Sequence, residues 1–146
     1  MAIKVLLVED DRALREALAD TLLLGGHGYC AVGSAEEALE RAAQESFNLV
    51  VSDVNMPGMD GHQLLAQIRG RYPQLPVLLM TAFGAVERAV DAIRQGAADY
   101  LVKPFEPRTL LELVARHALG KLTAGDRDGP VALEPASVQL LELASR

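Results

Sequence analysis

Short, almost unbroken runs of apolar residues alternate along the chain with segments in which apolar positions recur every three or four residues. The unbroken runs are typical of strands buried on both faces, and the periodic segments are typical of helices. The predicted strands cover residues 3–8, 29–32, 49–52, 77–80 and 100–102. The predicted helices cover residues 12–24, 34–45, 61–71, 85–95 and 107–119. This alternation predicts an α/β fold, a parallel sheet with helices on both faces.

The residues at the predicted helix ends support these boundaries. Asp11 can cap the first helix, and Ser34 precedes the second with Glu37 at the spacing of a capping box. Gly96 ends the fourth helix, and Pro107 suits the first turn of the fifth. The fourth helix carries one apolar face, formed by Val86, Ala89, Val90 and Ile93.

Polar residues directly follow four of the predicted strands. Glu9 and Asp10 follow the first strand, Asp53 the third, Thr81 the fourth and Lys103 the fifth. In an open sheet of parallel strands, the carboxyl ends of the strands form the crevice in which ligands bind. We therefore expect three carboxylates, a hydroxyl and an amine to meet at one edge of the sheet.

This set of groups suits the transfer of a phosphoryl group to a carboxylate. Asp53 can attack phosphorus and form an acyl phosphate. Two anions approach each other in that step, so a cation is required, and Mg²⁺ prefers oxygen ligands. Asp10 and Asp53 are the candidate direct ligands, whereas Glu9 would act through a water molecule. A backbone carbonyl near Asn55 would complete the shell.

Lys103 and Thr81 are the candidate partners of the transferred phosphoryl oxygens, since they supply a point charge and a hydroxyl donor. Each candidate has a simpler explanation when it is taken alone. An Asp after a strand is usually a turn former, and an acidic run can favour a helix N-terminus. The joint pattern is specific because complementary groups follow four strands.

Composition argues against several other functions. The 146 residues fit one domain, and a net charge of -6 argues against non-specific nucleic-acid binding by this segment. The single Cys30, expected to be a small buried hydrophobe, excludes an internal disulfide and fits a cytoplasmic location. No apolar run approaches the roughly 20 residues of a membrane span. The beginning of the chain leaves no room for a signal peptide. His27, His62 and His117 share no metal-ligand spacing.

Four motifs resemble those of receiver domains in two-component response regulators. They are Leu-Val-Glu-Asp-Asp (7–11), Ser-Asp-Val-Asn-Met-Pro-Gly-Met-Asp-Gly (52–61), Met-Thr-Ala (80–82) and Asp-Tyr-Leu-Val-Lys-Pro-Phe (99–105). The resemblance implies a flavodoxin-like, doubly wound sheet in the order 2-1-3-4-5. It also implies that Asp53 accepts a phosphoryl group from a sensor histidine kinase, that Glu9 and Asp10 form an acidic Mg²⁺ pocket, and that Thr81 and Lys103 bind the phosphoryl group.

The same resemblance assigns roles outside the pocket. Tyr100 would be an aromatic switch residue that acts with Thr81, and the Lys103–Pro104 peptide would be cis. The fourth helix, fifth strand and fifth helix would form the face that changes on phosphorylation. Such a domain is no enzyme acting on other molecules, since it catalyses only its own phosphorylation and autodephosphorylation.

Residues 120–146 extend beyond the receiver-like part, residues 1–119. Residues 120–134 are polar and glycine-rich and predict a linker, whereas residues 135–146 predict a short amphipathic helix. The last ten residues resemble the opening helix of the AAA+ module in sigma-54-dependent activators of the nitrogen-regulation subgroup. This implies a homodimer that controls transcription through covalently linked AAA+ and DNA-binding output domains.

Three alternatives remain open from the sequence. The chain could be a stand-alone receiver that regulates a protein target such as a motility component. It could be a phosphohydrolase that forms an aspartyl phosphate, although Asn55 stands where those enzymes typically need a second acid. It could also be an unphosphorylated interaction module, although the complete set of pocket residues argues against that reading.

Overall fold

The computed structural model describes residues 3–82 and 86–119. Within them, five parallel strands form one sheet in the predicted order, β2-β1-β3-β4-β5. The strands are β1 (Lys4–Val8), β2 (Gly28–Val32), β3 (Leu49–Asp53), β4 (Val77–Thr81) and β5 (Asp99–Val102). The predicted linker (120–134) and the predicted final helix (135–146) lie outside the described residues.

Helices connect the strands and cover both faces of the sheet. They are α1 (Arg12–Leu24), α2 (Ala35–Gln44), α3 (Gly61–Arg71), α4 (Val86–Arg94) and α5 (Pro107–Val114), which continues into a π-helical turn (Ala115–Leu119). Successive strand side chains point to opposite faces, so each strand contributes to two apolar layers. One layer joins Leu6 and Val50 to α2, α3 and α4, and the other joins Leu7 and Val51 to α1 and α5.

The predicted strand and helix boundaries are confirmed to within about a residue, and the differences fall at the ends of both strands and helices. Asp53 and Thr81 are the last residues of β3 and β4 rather than the first residues after them. Their backbone groups therefore belong to the sheet, which fixes where their side chains project. No described helix has the length and apolar character that crossing a membrane requires.

The predicted side-chain caps at the starts of α1 and α2 are confirmed. Asp11 Oδ1 accepts a hydrogen bond from the Leu14 N–H at 3.1 Å, and Ser34 Oγ accepts one from the Glu37 N–H at 3.1 Å. The other half of the predicted capping box, in which the Glu37 side chain would accept from the Ser34 N–H, is wrong. Glu37 Oε1 instead accepts from the Gly33 N–H at 3.1 Å, one residue before the cap.

Tertiary packing changes the predicted burial of Cys30 and leaves part of the apolar face of α4 exposed. Val90 and Ile93 on the apolar face of α4 are 43% and 48% exposed, whereas Ala92 is fully buried. Ala92 lies on a different side of the helix from Val90, so α4 packs on the core through Ala92 and leaves Val90 and Ile93 partly exposed. Cys30 is only half-buried because β2 is an edge strand of the sheet.

Candidate functional site

The predicted polar residues meet at the carboxyl edge of the sheet. Glu9, Asp53 and Thr81 are 1%, 4% and 1% exposed. Lys103 reaches into the same space, with its Nζ 3.0 Å from Glu9 Oε1 and 2.9 Å from Asp53 Oδ1. Buried carboxylates are tolerated when they are paired, and a single amine provides that pairing for both.

The carboxylates of Glu9, Asp10 and Asp53 form one cluster. Their ligand atoms all lie within 4.8 Å of one another, a spacing that one cation can bridge. Glu9 and Asp53 form the buried side of the cluster, and Asp10 forms the exposed side. Three carboxylates beside one amine leave an excess of negative charge, and hard oxygen ligands of this kind are those that Mg²⁺ prefers. The donor set therefore fits this ion.

Burial and charge shift the protonation of the buried groups. Burial raises the pKa of Glu9 and the charge of Asp53 adds to this, although the Asp11 N–H and Lys103 act in the opposite direction. Burial alone would lower the pKa of Lys103, but its hydrogen bonds to Asp53 and Glu9 outweigh that effect and raise it. Lys103 is therefore a cation at neutral pH.

Close backbone packing fixes the strand end that carries Asp53. The Val54 N–H donates to Met80 O at 2.8 Å, and the Gly61 N–H donates to Val54 O at 2.9 Å. A Cβ atom at Gly61 would lie 2.4 Å from Asp53 O. Only glycine allows α3 to begin so close to β3. Asn55 lies in the intervening loop and is exposed.

Several supporting contacts were not predicted from the sequence. An Arg15 guanidinium N–H donates to Glu9 O at 2.8 Å and so orients the peptide group that leads to Asp10. Glu36 Oε2 accepts from the Met59 N–H at 3.3 Å and holds the loop after β3. No spacing signals these two contacts, because each joins separate elements. The capping box at the start of α3 was also missed, although its Asp-x-x-Gln spacing is local.

The switch candidates lie next to the cluster. The Lys103 N–H donates to Thr81 O at 2.7 Å, so the end of β4 and the residue after β5 are joined directly. The Lys103–Pro104 peptide is cis, as predicted. Tyr100 is half-buried, and its hydroxyl is buried with no hydrogen-bond partner among the described residues.

Comparison with known proteins agrees with this geometry. The family model of the response regulator receiver domain matches residues 5–115. The chain therefore belongs to the response regulator receiver domain family. Its fold is also that of the receiver domain from Methanospirillum hungatei, with a TM-score of 0.80 and 28% identity over 86% of this chain and 100% of the other.

Longer proteins are also similar to this chain. It is 77% identical over all its residues to the response regulator protein FleR of Pseudomonas aeruginosa, and it covers 31% of that protein. It is 42% identical to the DNA-binding transcriptional regulator NtrC of Escherichia coli over 77% of this chain and 24% of NtrC. NtrX from Brucella abortus superimposes with a TM-score of 0.80 at 32% identity, over 86% of this chain and 29% of NtrX. The chain thus spans about a third or less of these relatives.

Proposed function

We propose that the chain is the phosphoacceptor of a two-component phosphorelay, in which Asp53 receives a phosphoryl group from a sensor histidine kinase. The observation that carries this proposal is the bridge from Lys103 Nζ to Asp53 and Glu9, at 2.9 and 3.0 Å, beside a cluster of three carboxylates. A buried carboxylate next to a fixed amine can receive new negative charge without a large reorganisation.

Asp10 and Asp53 would hold Mg²⁺ directly, with Glu9 acting through water and the Asn55 backbone carbonyl completing the shell. When bound, the ion supplies the positive charge that two approaching anions require. The exposed position of Asp10 agrees with entry of the ion from solvent. Arg15 supports this arrangement because it fixes the carbonyl that precedes Asp10.

The transfer step uses a lone pair of an Asp53 carboxylate oxygen to form the new P–O bond. The P–N bond to the phosphohistidine of the kinase breaks, and the imidazole leaves with that electron pair. Lys103 and Thr81 stabilise the phosphoryl oxygens. In autodephosphorylation, water attacks phosphorus, inorganic phosphate leaves and the Asp53 carboxylate is restored.

Phosphorylation would act as a switch because it replaces the single negative charge of the Asp53 carboxylate with a phosphoryl group of about two negative charges and three acceptor oxygens. Lys103 then interacts with the phosphoryl oxygens, and Thr81 moves toward one of them. Tyr100 follows Thr81, so the face formed by α4, β5 and α5 changes shape. This face exposes Val90, Ile93 and Val102, and these apolar side chains support a homodimer interface there.

We place the chain in a cytoplasmic, sigma-54-dependent transcriptional activator with covalently linked AAA+ and DNA-binding output domains. Two features support this: the resemblance of residues 137–146 to an opening AAA+ helix, and the 77% identity to FleR, which is about three times as long. The chain itself would make no contact with nucleic acid, in line with its net charge of -6. A stand-alone receiver would not require the additional segment.

Intact-mass measurement after incubation with acetyl phosphate and Mg²⁺ tests the phosphoacceptor. The wild-type chain should gain about 80 Da, and a chelator should abolish the gain. Asp53→Ala and Asp53→Asn should show no gain, whereas Asp60→Ala, which alters only the α3 cap, should gain the same mass as wild type. An equal gain in the Asp53 variants would show that another residue is the acceptor.

A further inference from the structure

Asp99 links β5, the strand that carries Tyr100, to the π-helical turn that follows α5. It is the first residue of β5 and precedes Tyr100. Its Oδ1 accepts a hydrogen bond from the Tyr100 N–H at 2.9 Å, and its Oδ2 lies 3.0 Å from His117 Nε2. His117 belongs to the π-helical turn that ends the described part of the chain. One carboxylate therefore contacts both the backbone of Tyr100, the proposed switch residue, and the side chain of His117 in the π-helical turn.

The direction of the His117 hydrogen bond follows from the charge of Asp99. Burial raises the pKa of Asp99, but the hydrogen bonds from His117 and the Tyr100 N–H, with the charges of His117 and Arg116, outweigh burial and lower it. Asp99 is thus ionised at neutral pH and can only accept hydrogen bonds. His117 Nε2 must carry the proton, so the contact exists whether or not the ring is charged.

We infer that His117 is a positioning residue that transmits the state of Tyr100, through the Asp99 carboxylate, to the π-helical turn that follows α5. The inference rests on the proposed switch at Tyr100. A shift of the Tyr100 backbone changes the position of its N–H, and Asp99 must follow to keep that bond. His117 is bound to the second oxygen of the same rigid, planar carboxylate, so it is displaced with it.

The helix end is suited to such a displacement. A π-helical turn has looser backbone pairing than an α-helix and is often found at functional positions. Leu110, Val114 and Ala118 anchor the helix to the sheet, whereas His117 is only partly covered, with 19% of its side chain exposed. In sequence, the predicted linker (120–134) follows directly after this turn. A small movement at His117 therefore occurs at the part of the chain that directly precedes the predicted linker.

The coupling can be measured by NMR on the full ¹⁵N-labelled chain with beryllofluoride and Mg²⁺ as the phosphoryl mimic. In wild type, the amides of Tyr100 and Ala118 should both shift. His117→Phe keeps a planar ring but removes the donor, so the Tyr100 shift should persist while the Ala118 shift falls by at least half. His117→Gln, whose amide nitrogen can replace Nε2, should restore the Ala118 shift. His27→Phe, a histidine outside this contact, should resemble wild type.

A second route tests the same contact from the strand side. Asp99→Ala should reduce the Ala118 response as His117→Phe does, and the double variant should be no worse than either single variant. An unchanged Ala118 shift in the folded single variants would overturn the coupling, as would an equal loss at Tyr100 and Ala118 in His117→Phe. No response at either amide in wild type would instead contradict the proposed switch, and the coupling with it.

Discussion

The amine of Lys103 lies 2.9 Å from Oδ1 of Asp53 although their strands are not neighbours in the sheet. β4 lies between β3 and β5, so the Lys103 side chain passes the end of β4, where Thr81 is buried, to reach Asp53. The same amine contacts Glu9 after β1. One flexible cation thus connects the ends of β1 and β3 to the segment after β5. Its removal should therefore leave both buried carboxylates without their counter-ion.

Lys103→Met should destabilise the metal-free chain by about 3 kcal/mol at neutral pH, because Glu9 and Asp53 remain buried without a counter-ion. Added Mg²⁺ should recover more stability in the variant than in wild type, since the ion replaces the lost charge. Urea unfolding with and without Mg²⁺ measures both effects. Lys4→Met is the matched control. It breaks the partly exposed pair with Glu45 and should cost much less stability, because solvent screens that pair. Equal losses in the two variants would contradict the importance of the Lys103 bridge.

Gly61→Ala should destabilise the chain by about 1 to 3 kcal/mol and weaken Mg²⁺ binding, because the added Cβ would lie 2.4 Å from Asp53 O and displace the strand end. Thermal unfolding and a Mg²⁺ titration followed by NMR measure the two effects. Gly70→Ala in the same helix has no atom within 4 Å of the added Cβ and should stabilise the chain by about 0.5 to 1 kcal/mol. Unchanged Mg²⁺ affinity in Gly61→Ala would show that this close approach does not position the site.

Tyr100→Phe should not destabilise the unphosphorylated chain. The buried Tyr100 hydroxyl has no partner among the described residues, and an unsatisfied buried polar group costs about 1 to 3 kcal/mol. Its removal should therefore leave the free energy of unfolding unchanged or raise it. Tyr100→Ala provides the contrast, since loss of the half-buried ring should destabilise the chain. A clear loss of stability in Tyr100→Phe would mean that the hydroxyl forms a bond in solution.

Asp99→Asn should lower stability by about 1 kcal/mol at pH 7. The pKa of Asp99 is lower in the folded chain than its ordinary value of 3.8, so the carboxylate adds stability above about pH 4 and loses it as the pH falls through the folded pKa. The difference between wild type and variant should therefore shrink below about pH 4. Urea unfolding at a series of pH values tests this, with the exposed Asp20→Asn as control. A difference that stays constant down to pH 3 would exclude a role for the Asp99 charge.

Much of the architecture was predictable from local patterns. Apolar runs and helical periodicity located the five strands and five helices, and Asp11 and Ser34 fixed two helix starts. The convergence of Glu9, Asp53 and Thr81 was also predictable, because the carboxyl ends of parallel strands lie at one edge. Their chemical roles stay predictions until phosphorylation and metal binding are measured.

The sequence by itself determined which groups would meet, because residue spacing sets the period of each element and parallel crossovers bring the strand ends to one edge. Only the tertiary structure decided how those groups interact. The reach of Lys103 past β4, the exposure of Val90 and the pairing of Asp99 with His117 join residues that are far apart in sequence or depend on how a helix lies against the sheet. No local pattern encodes such contacts, since they follow from side-chain length and from the packing of separate elements.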